Sequence, residues 1–543
     1  MRAPLSTLIL VWSVPLLSVG GCAESEPEIA DWCSVPLVGD APPITPGNGG
    51  IIYEIYVRSF RDSDGDGVGD LRGVIEKLDH LQQLGVDTIW LMPIFESPSV
   101  AGYNPSDFTR VDADYGTEDD LDALLAEAAD RDMRVILDVA INHTSDTHPW
   151  FKAARAHPDG AAADRYLFSG VQWDDVRWWE AGDDAYYYAF FGADHPDLNW
   201  GDPAVPTAIR DALVGWLDRG VSGFRLDAVV QLVEEDGEIT NTAGSHCAMA
   251  WLYRELKAAR PDALILSEAW SQDAAENLGW LGTAQAPEAD LVIDVPRRYD
   301  IIDAWRDHSV LPLLETMDAA AAAGVSDRVA PYINAHDLPR LPTLLEDPAA
   351  RRTWMVLHLL GAGMPVLLYG DEIDLPDSGE AADQDYPQRA PMLWDDTYNA
   401  GFTSGQPWFP VDTRYLDGLN VAVQAQDPYS PWTLAAALGA LRSRSVALRE
   451  GGVALLPSTD PGTLQLMRRA DDEVVLLIAN LSNVSAVSPV LMVPPEYGPW
   501  TDLTGGEVEA DESGRIALGS LKPWGYRVLV GPGLADGAVP GPL

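Results

Sequence analysis

The stretch VSGFRLDAV, Val221 to Val229, decides the fold. Its apolar first half has strand composition, and the acid Asp227 sits where that strand gives way. The same pattern recurs in ALILSEAW (263–270), which places Glu268 at a strand end, and in RVAPYINAHDLPR (328–340), which places Asp337 there. Working outward, strand-type runs stand at 51–57, 86–91, 134–139, 221–226, 263–268, 290–295, 328–333 and 365–370. Helical stretches such as Leu71 to Leu84 and Glu118 to Arg131 lie between them. Eight such alternations predict an α/β chain folded as a (β/α)₈ TIM barrel, whose functional groups gather at the strand ends.

Carboxylates meeting at those ends suggest chemistry on a glycosidic bond, which needs one acid and one carboxylate facing each other. Arg225 lies two positions before Asp227, so strand alternation puts both side chains on one face. A fixed guanidinium there suits a carboxylate nucleophile. Glu268 follows the apolar run Ala263 to Leu266, and burial would raise its pKa toward that of a working general acid. Asp337 follows His336, and the two are suited to adjacent sugar hydroxyls.

DVAINH (138–143), GFRLDAV (223–229), ILSEAW (265–270) and NAHD (334–337), with HPDLNW (195–200) as a fifth segment, resemble in order and spacing the signature regions of the α-amylase family of glycoside hydrolases, family 13. The resemblance runs from about Ile51 to the C-terminus. It implies Asp227 as nucleophile, Glu268 as acid/base and Asp337 as a third carboxylate that binds sugar hydroxyls. Asp138 and Arg225 would orient Asp227. His143, His336 and Tyr103 would contact the sugar at the cleavage point, Tyr103 by stacking. One departure is Ala335: the family's fourth region usually reads Asn-His-Asp, and here Ala335 precedes His336.

The loop from Asp62 to Asp70 spaces Asp62, Asp64, Asp66 and Asp70 among glycines, an arrangement that wraps oxygens around a hard cation such as Ca²⁺. Gly73 stands where an EF-hand would need its bidentate Glu, so this is not an EF-hand. In the resembling family the same loop binds Ca²⁺ through positions matching these four acids and the Val68 carbonyl. A second family site uses the position of Asn142 and a His where Gln231 stands here. No organic cofactor is expected.

The net charge of −49, from 84 acidic and 35 basic residues, excludes a general nucleic-acid binder. Lysine is confined to Lys77, Lys152, Lys257 and Lys522, which fits either a salt-adapted surface or a GC-rich genome. Arg2, the short apolar run Leu8–Leu17 and Val19-Gly-Gly-Cys22 read as a lipoprotein-type signal over 1–22, with Cys22 lipidated. The chain is then exported, anchored at the bacterial envelope through Cys22 or secreted, and a monomer. An exported chain could pair Cys33 with Cys247. Residues 23–49, rich in Pro, Gly and acids, read as a flexible linker.

The remaining domains are expected as barrel at 50–142, an aromatic-rich insert (domain B) after strand three at 143–206, barrel again at 207–452, and an antiparallel β-sandwich at 453–543. The tract 384–411 is expected near the open end of the cleft. The expected activity is retaining cleavage of α-1,4 bonds in starch or maltooligosaccharides. Ala228 leaves room for a 1,4-linked neighbour, and Asn104 stands where many exo-acting α-glucosidases carry Asp. The alternatives are an exo-acting α-glucosidase or a transglycosylating relative. A non-catalytic carbohydrate-binding homologue would have lost a member of the triad, and all three are present.

Overall fold

The computed structural model describes residues 44, 49–532 and 534, apart from 159, 172–175, 183–184, 236, 380–385, 459, 484 and 506–507. The leader, Cys22, Cys33 and most of the linker lie outside the described residues. Cys247 is disulfide-bonded.

Eight parallel strands form the central sheet: β1 (Ile51–Ile55), β2 (Val86–Leu91), β3 (Arg134–Ala140), β4 (Gly223–Asp227), β5 (Leu264–Ser267), β6 (Leu291–Ile293), β7 (Val329–Ala330) and β8 (Val366–Leu368). Their order runs β7-β6-β5-β4-β3-β2-β1-β8. A parallel bridge from Tyr332 to Val366 joins the two edges and makes a TIM barrel. Its interior is a separate apolar cluster that includes Ile52, Trp90, Ile136, Leu264, Leu266, Leu291 and Ile293. The larger core fills the space between strands and surrounding helices. These are the two sides of strands buried on both faces, which is why the runs read as continuously apolar.

Three strands differ from their sequence pattern for local reasons. β1 ends at Ile55 because Val57–Phe60 turns into a helical segment. β7 is only two residues long, since Pro331 has no N–H to donate to a ladder. β4 starts at Gly223, where φ is 152° and a Cβ would stand 2.0 Å from the Leu264 carbonyl oxygen. Only glycine permits that approach of β4 to β5.

Between β3 and the helix Ala204–Arg219, the chain carries a three-stranded antiparallel sheet of Phe168–Ser169, Ala185–Tyr188 and Trp178–Gly182. A bridge from His143 to Asp197 ties this insert to the chain just after β3, and one from Tyr166 to Leu198 joins two parts of the insert. It also contains the helix Pro149–Ala156, which the aromatic-rich sequence did not signal; Pro149 occupies its first turn, where no N–H is missed.

At the C-terminus, strands Gly452–Leu455, Thr463–Ala470, Glu473–Asn480, Tyr526–Val530 and Thr501–Asp502 make one antiparallel sheet. Val490–Met492, Arg515–Ala517 and Glu509–Ala510 make a second. Glu473–Asn480 alternates cleanly. Val474, Leu476 and Ile478 enter the core between the sheets, while Val475, Leu477 and Ala479 pack into the barrel-side core. Buried Arg468 of this sheet donates to the Gly361 carbonyl and fastens the sheet to the barrel; the same carbonyl accepts from Arg442 on the helix Pro431–Arg444.

Candidate active site

Arg225 organises the strand ends. It is fully buried, and the register of β3 against β4 sets it directly beside Asp138. Its Nη1 donates to Asp138 Oδ1 at 2.7 Å and to Asp227 Oδ1 at 2.5 Å. Its Nη2 lies 2.5 Å from Glu268 Oε1. One guanidinium thus holds three carboxylates from three consecutive strands. The turn after β4 adds a further link: Ala228, with φ of 55°, directs its backbone N–H to Glu268 Oε2 at 3.4 Å. Trp90 Nε1 and the Tyr103 hydroxyl both donate to Asp138 Oδ2, at 3.0 and 2.9 Å. Asp138 is therefore enclosed by donors and faces Arg225, not the cleft.

Burial pushes the Glu268 carboxyl up to about 8; Arg225 opposes this and the Asp227 and Asp337 charges reinforce it. The group is then protonated at neutral pH, as an acid must be. Burial also raises Asp138, to about 6, against Arg225. Asp337 is held below the ordinary carboxylate range: burial acts the other way, but His336 and then Arg389 outweigh it. Arg389 Nη2 lies 2.5 Å from Asp337 Oδ1, and His336 Nε2 lies 2.9 Å from Oδ2.

Tyr103 lies flat against His336, with ring centroids 5.4 Å apart and planes at 17°. Burial lowers His143 to about 4, helped by His195, so the ring is neutral. Its Nε2 meets the Tyr103 carbonyl at 2.8 Å and must carry the proton, leaving Nδ1 to accept from Asn142. A cleft of about 600 Å³ opens over this floor, lined by Tyr103, His143, Asp227, Ala228, Glu268 and Asp337, with Phe190, Phe191, His195, Gln231, Trp270, Tyr386 and Arg389 around them. Phe191, Trp270 and Tyr386 present large exposed rings at its edge.

The structure brings Asp227, Glu268, Asp337, Tyr103, His143, Arg225, His336 and Asp138 into one constellation. Asn104 stands apart from it. It is buried, and its side chain meets Ser97, Ser99 and the Asp194 carbonyl, so it offers the cleft nothing. Of the tract 384–411, Tyr386 and Arg389 line the cleft, whereas Trp394 packs against Phe60 and Trp408 against Tyr56. Sequence reasoning missed Arg389, a lone Arg in an irregular loop with no period to mark it. It also missed Glu54, whose signal was present as a charged residue inside an otherwise apolar strand.

The loop after β1 brings carboxylate oxygens of Asp62, Asp64 and Asp70 within 4.8 Å of one another. This hard-oxygen set fits a divalent cation. Asp66 is outside the group, its Oδ1 accepting from the Val68 N–H at 2.8 Å. Asp62 accepts from the Asp64, Gly65 and Gly67 N–H groups, which folds the loop tightly. Gly67 has φ of 101°, and a Cβ there would stand 1.8 Å from the Gln406 carbonyl oxygen. Beneath the insert, Asn142 Oδ1, Asp197 Oδ2, Gln231 Oε1 and Glu234 Oε1 are buried without a hydrogen-bond partner. Burial and the Glu234 charge raise Asp197 well above the carboxylate range.

A closed parallel barrel with buried carboxylates converging on one arginine at its strand ends is the framework of an α-glycosidase-like enzyme. Residues 54–451 match the family model described as "Alpha amylase, catalytic domain". The chain belongs to the alpha-amylase family of glycoside hydrolases, family 13. It is 33% identical over 495 residues to "Trehalose synthase" of Pimelobacter sp. (strain R48), covering 80% of this chain and 86% of that protein. It is 29% identical to "Oligo-1,6-glucosidase" of Parageobacillus thermoglucosidasius, covering 88% and 97%. Among solved structures, that of the "alpha-glucosyl transfer enzyme, XgtA" superposes with a TM-score of 0.77 at 30% identity, covering 89% of this chain and 99% of that one.

Proposed function

We propose that the protein is a retaining α-glucosidase that removes or transfers single glucosyl units from short α-glucosides. The observation that carries it is the shared guanidinium of Arg225, which holds Asp227 and Glu268 on adjacent nitrogens. Two carboxyls so held stand close, as double displacement requires; inversion needs them wider apart, with a water between. Asp227 forms the bond to the anomeric carbon as the glycosidic bond breaks, and Glu268 gives its proton to the leaving oxygen. Water or a second sugar hydroxyl then takes the glucosyl unit from Asp227, returning its proton to Glu268. Asp337, between His336 and Arg389, accepts hydrogen bonds from the sugar hydroxyls.

The names carried by the relatives, trehalose synthase and oligo-1,6-glucosidase, favour this reading over the endo-acting α-1,4 amylase expected from the sequence. So does Arg389, which adds a cation to the sugar-binding end of the cleft. Asn104 gives the endo reading no support, because its side chain is turned inward. The test compares maltose, trehalose, isomaltotriose and an end-blocked maltoheptaoside. Release or transfer of α-configured glucose from the open substrates, with the blocked one untouched, is expected. Cutting of the blocked chain would replace this reading with endo action.

Two further elements belong to the proposal. A structural Ca²⁺ would be held by Asp62, Asp64 and Asp70, whose carboxylate oxygens already converge, whereas Asp66, turned to the Val68 N–H, would have to swing round to join them with the Val68 carbonyl. Anchorage through a lipidated Cys22 rests on the leader sequence, and release of Cys22→Ser protein from membranes tests it.

A further inference from the structure

Glu54 lies on β1, is 1% exposed, and is the charged member of a strand otherwise wholly apolar in its core. Its Oε1 lies 2.5 Å from Nδ1 of His336. On the other side of the ring, Nε2 lies 2.9 Å from Asp337 Oδ2 and 2.8 Å from the Tyr103 hydroxyl. An ionised carboxylate can only accept, and a neutral imidazole carries a single N–H. A neutral ring between two carboxylates would therefore set acceptor against acceptor on one side, in a buried site where such a mismatch is costly.

We propose that Glu54 is a positioning residue that fixes His336 as a doubly protonated imidazolium, whose Nε2–H donates to Asp337 and holds that carboxylate toward the cleft. The functional half of this rests on the glycosidase reading above; the protonation of His336 does not. The ring's surroundings agree. From β2, Trp90 packs edge-on at 6.2 Å; after β2, Tyr103 stacks on it and directs its own proton to Asp138. Asp138 from β3 is close enough for its charge to interact with the ring, and Glu268, just after β5, adds a charge only where it loses its proton, above about pH 8. The cations nearby are Arg225 from β4, already shared among three carboxylates, and Arg389, which donates through Nε to the His336 carbonyl and through Nη2 to Asp337. Carboxylates outweigh cations around the ring. Burial works against its charge, but Asp337 and then Glu54 prevail and raise it to about 10.

The test is Glu54→Gln, which keeps the shape and an acceptor but removes the charge. The first readout is the ¹⁵N resonances of His336 in histidine-labelled full-length protein, assigned with His336→Gln. In the wild type both nitrogens should stay protonated through about pH 8. In Glu54→Gln the midpoint should fall by about 1–3 units, the usual effect of one adjacent opposite charge. The second is kcat/KM on a nitrophenyl α-glucoside against pH. The His336 charge is present below its midpoint and lost above it, so the wild-type to variant ratio should be small at acid pH. It should grow roughly tenfold or more as pH rises through the lowered midpoint. A merely structural Glu54 would depress the variant equally at every pH.

An unchanged midpoint, a ratio flat with pH, or a neutral His336 in the wild type at about pH 7 would overturn the proposal. The wild-type measurement alone decides if the variant does not fold. If the protein cleaves no α-glucoside, the functional reading falls while the titration still judges Glu54.

Discussion

Glu268→Gln should abolish turnover of maltose and make the protein more stable, by an amount that depends on pH in a defined direction. Folding moves the Glu268 carboxyl from an ordinary value of 4.5 to about 8. Between those values the folded chain keeps a proton that the unfolded chain has lost. Stability therefore falls as pH rises through that window, and is unaffected by this group below it. The window spans about 3.5 pH units. At about 1.4 kcal/mol per unit, the cost reaches about 5 kcal/mol at its upper end and about 3 kcal/mol near pH 7. Gln cannot ionise and keeps the oxygen that accepts from Arg225, so the variant escapes the cost. Thermal or urea unfolding of both proteins at about pH 5, 6.5 and 8 reads the difference. The curves should nearly coincide at the acid end and separate steadily toward pH 8, the variant above the wild type. Loss of activity should be far smaller on an α-glucosyl fluoride, whose leaving group needs no proton, than on maltose. The wild-type kcat/KM should fall as pH rises through about 8, where the acid loses its proton. A stability difference that is constant with pH, or near wild-type turnover of maltose, would refute the assignment of Glu268 as a buried, protonated acid.

Asp227→Asn should cut kcat by several orders of magnitude in a folded protein, since it removes the nucleophile. Asp337→Asn should be nearly inactive, with weakened binding of glucose-like inhibitors; wild-type inhibition constants would sink its role in gripping hydroxyls. Chelation should lower the melting temperature, because a cation bound only by the folded loop stabilises it by about 2.7 kcal/mol at a hundredfold excess over Kd. A melting curve indifferent to EDTA, in protein that contains no metal, would count against the Asp62–Asp70 site. Ala228→Val places a β-branched residue at a φ of 55°, which should cost about 1–2 kcal/mol and crowd the cleft beside Asp227. If the maltose-to-isomaltose rate ratio then stays unchanged, the methyl group of Ala228 does not set the linkage.

How much of this was legible in the sequence differs between elements for physical reasons. The barrel was readable because its strands are buried on both faces, and Leu264–Ser267 or Leu291–Ile293 leaves no polar alternation to confuse the pattern. Arg225 and Asp227 were readable together because a period of two fixes which neighbours share a face. The helix Pro149–Ala156 was not, since two turns are too short for the Phe151–Ala154 face to stand out from the aromatic-rich stretch around it. Arg389 was not, because its place against Asp337 depends on how a long irregular loop folds over the barrel end, and no short-range pattern encodes that.

Asn104 marks the limit of inference from one position. The expectation compared residue identities at a site one place after Tyr103, and assumed that the side chain faces the sugar. Tyr103 itself does line the cleft. In a turn, however, adjacent side chains need not share a face, and here Asn104 points inward to bridge Ser97, Ser99 and the Asp194 carbonyl. An Asp placed there in this backbone would meet the Asp194 carbonyl acceptor to acceptor. It would grip no sugar and would leave a buried charge facing that oxygen. The discrimination between chain ends and chain interiors must then come from groups that reach the cleft. Arg389, Tyr386 and Phe191 are such groups, and an Arg389→Ala protein that gains activity on end-blocked maltoheptaoside while losing it on maltose would locate the discrimination there.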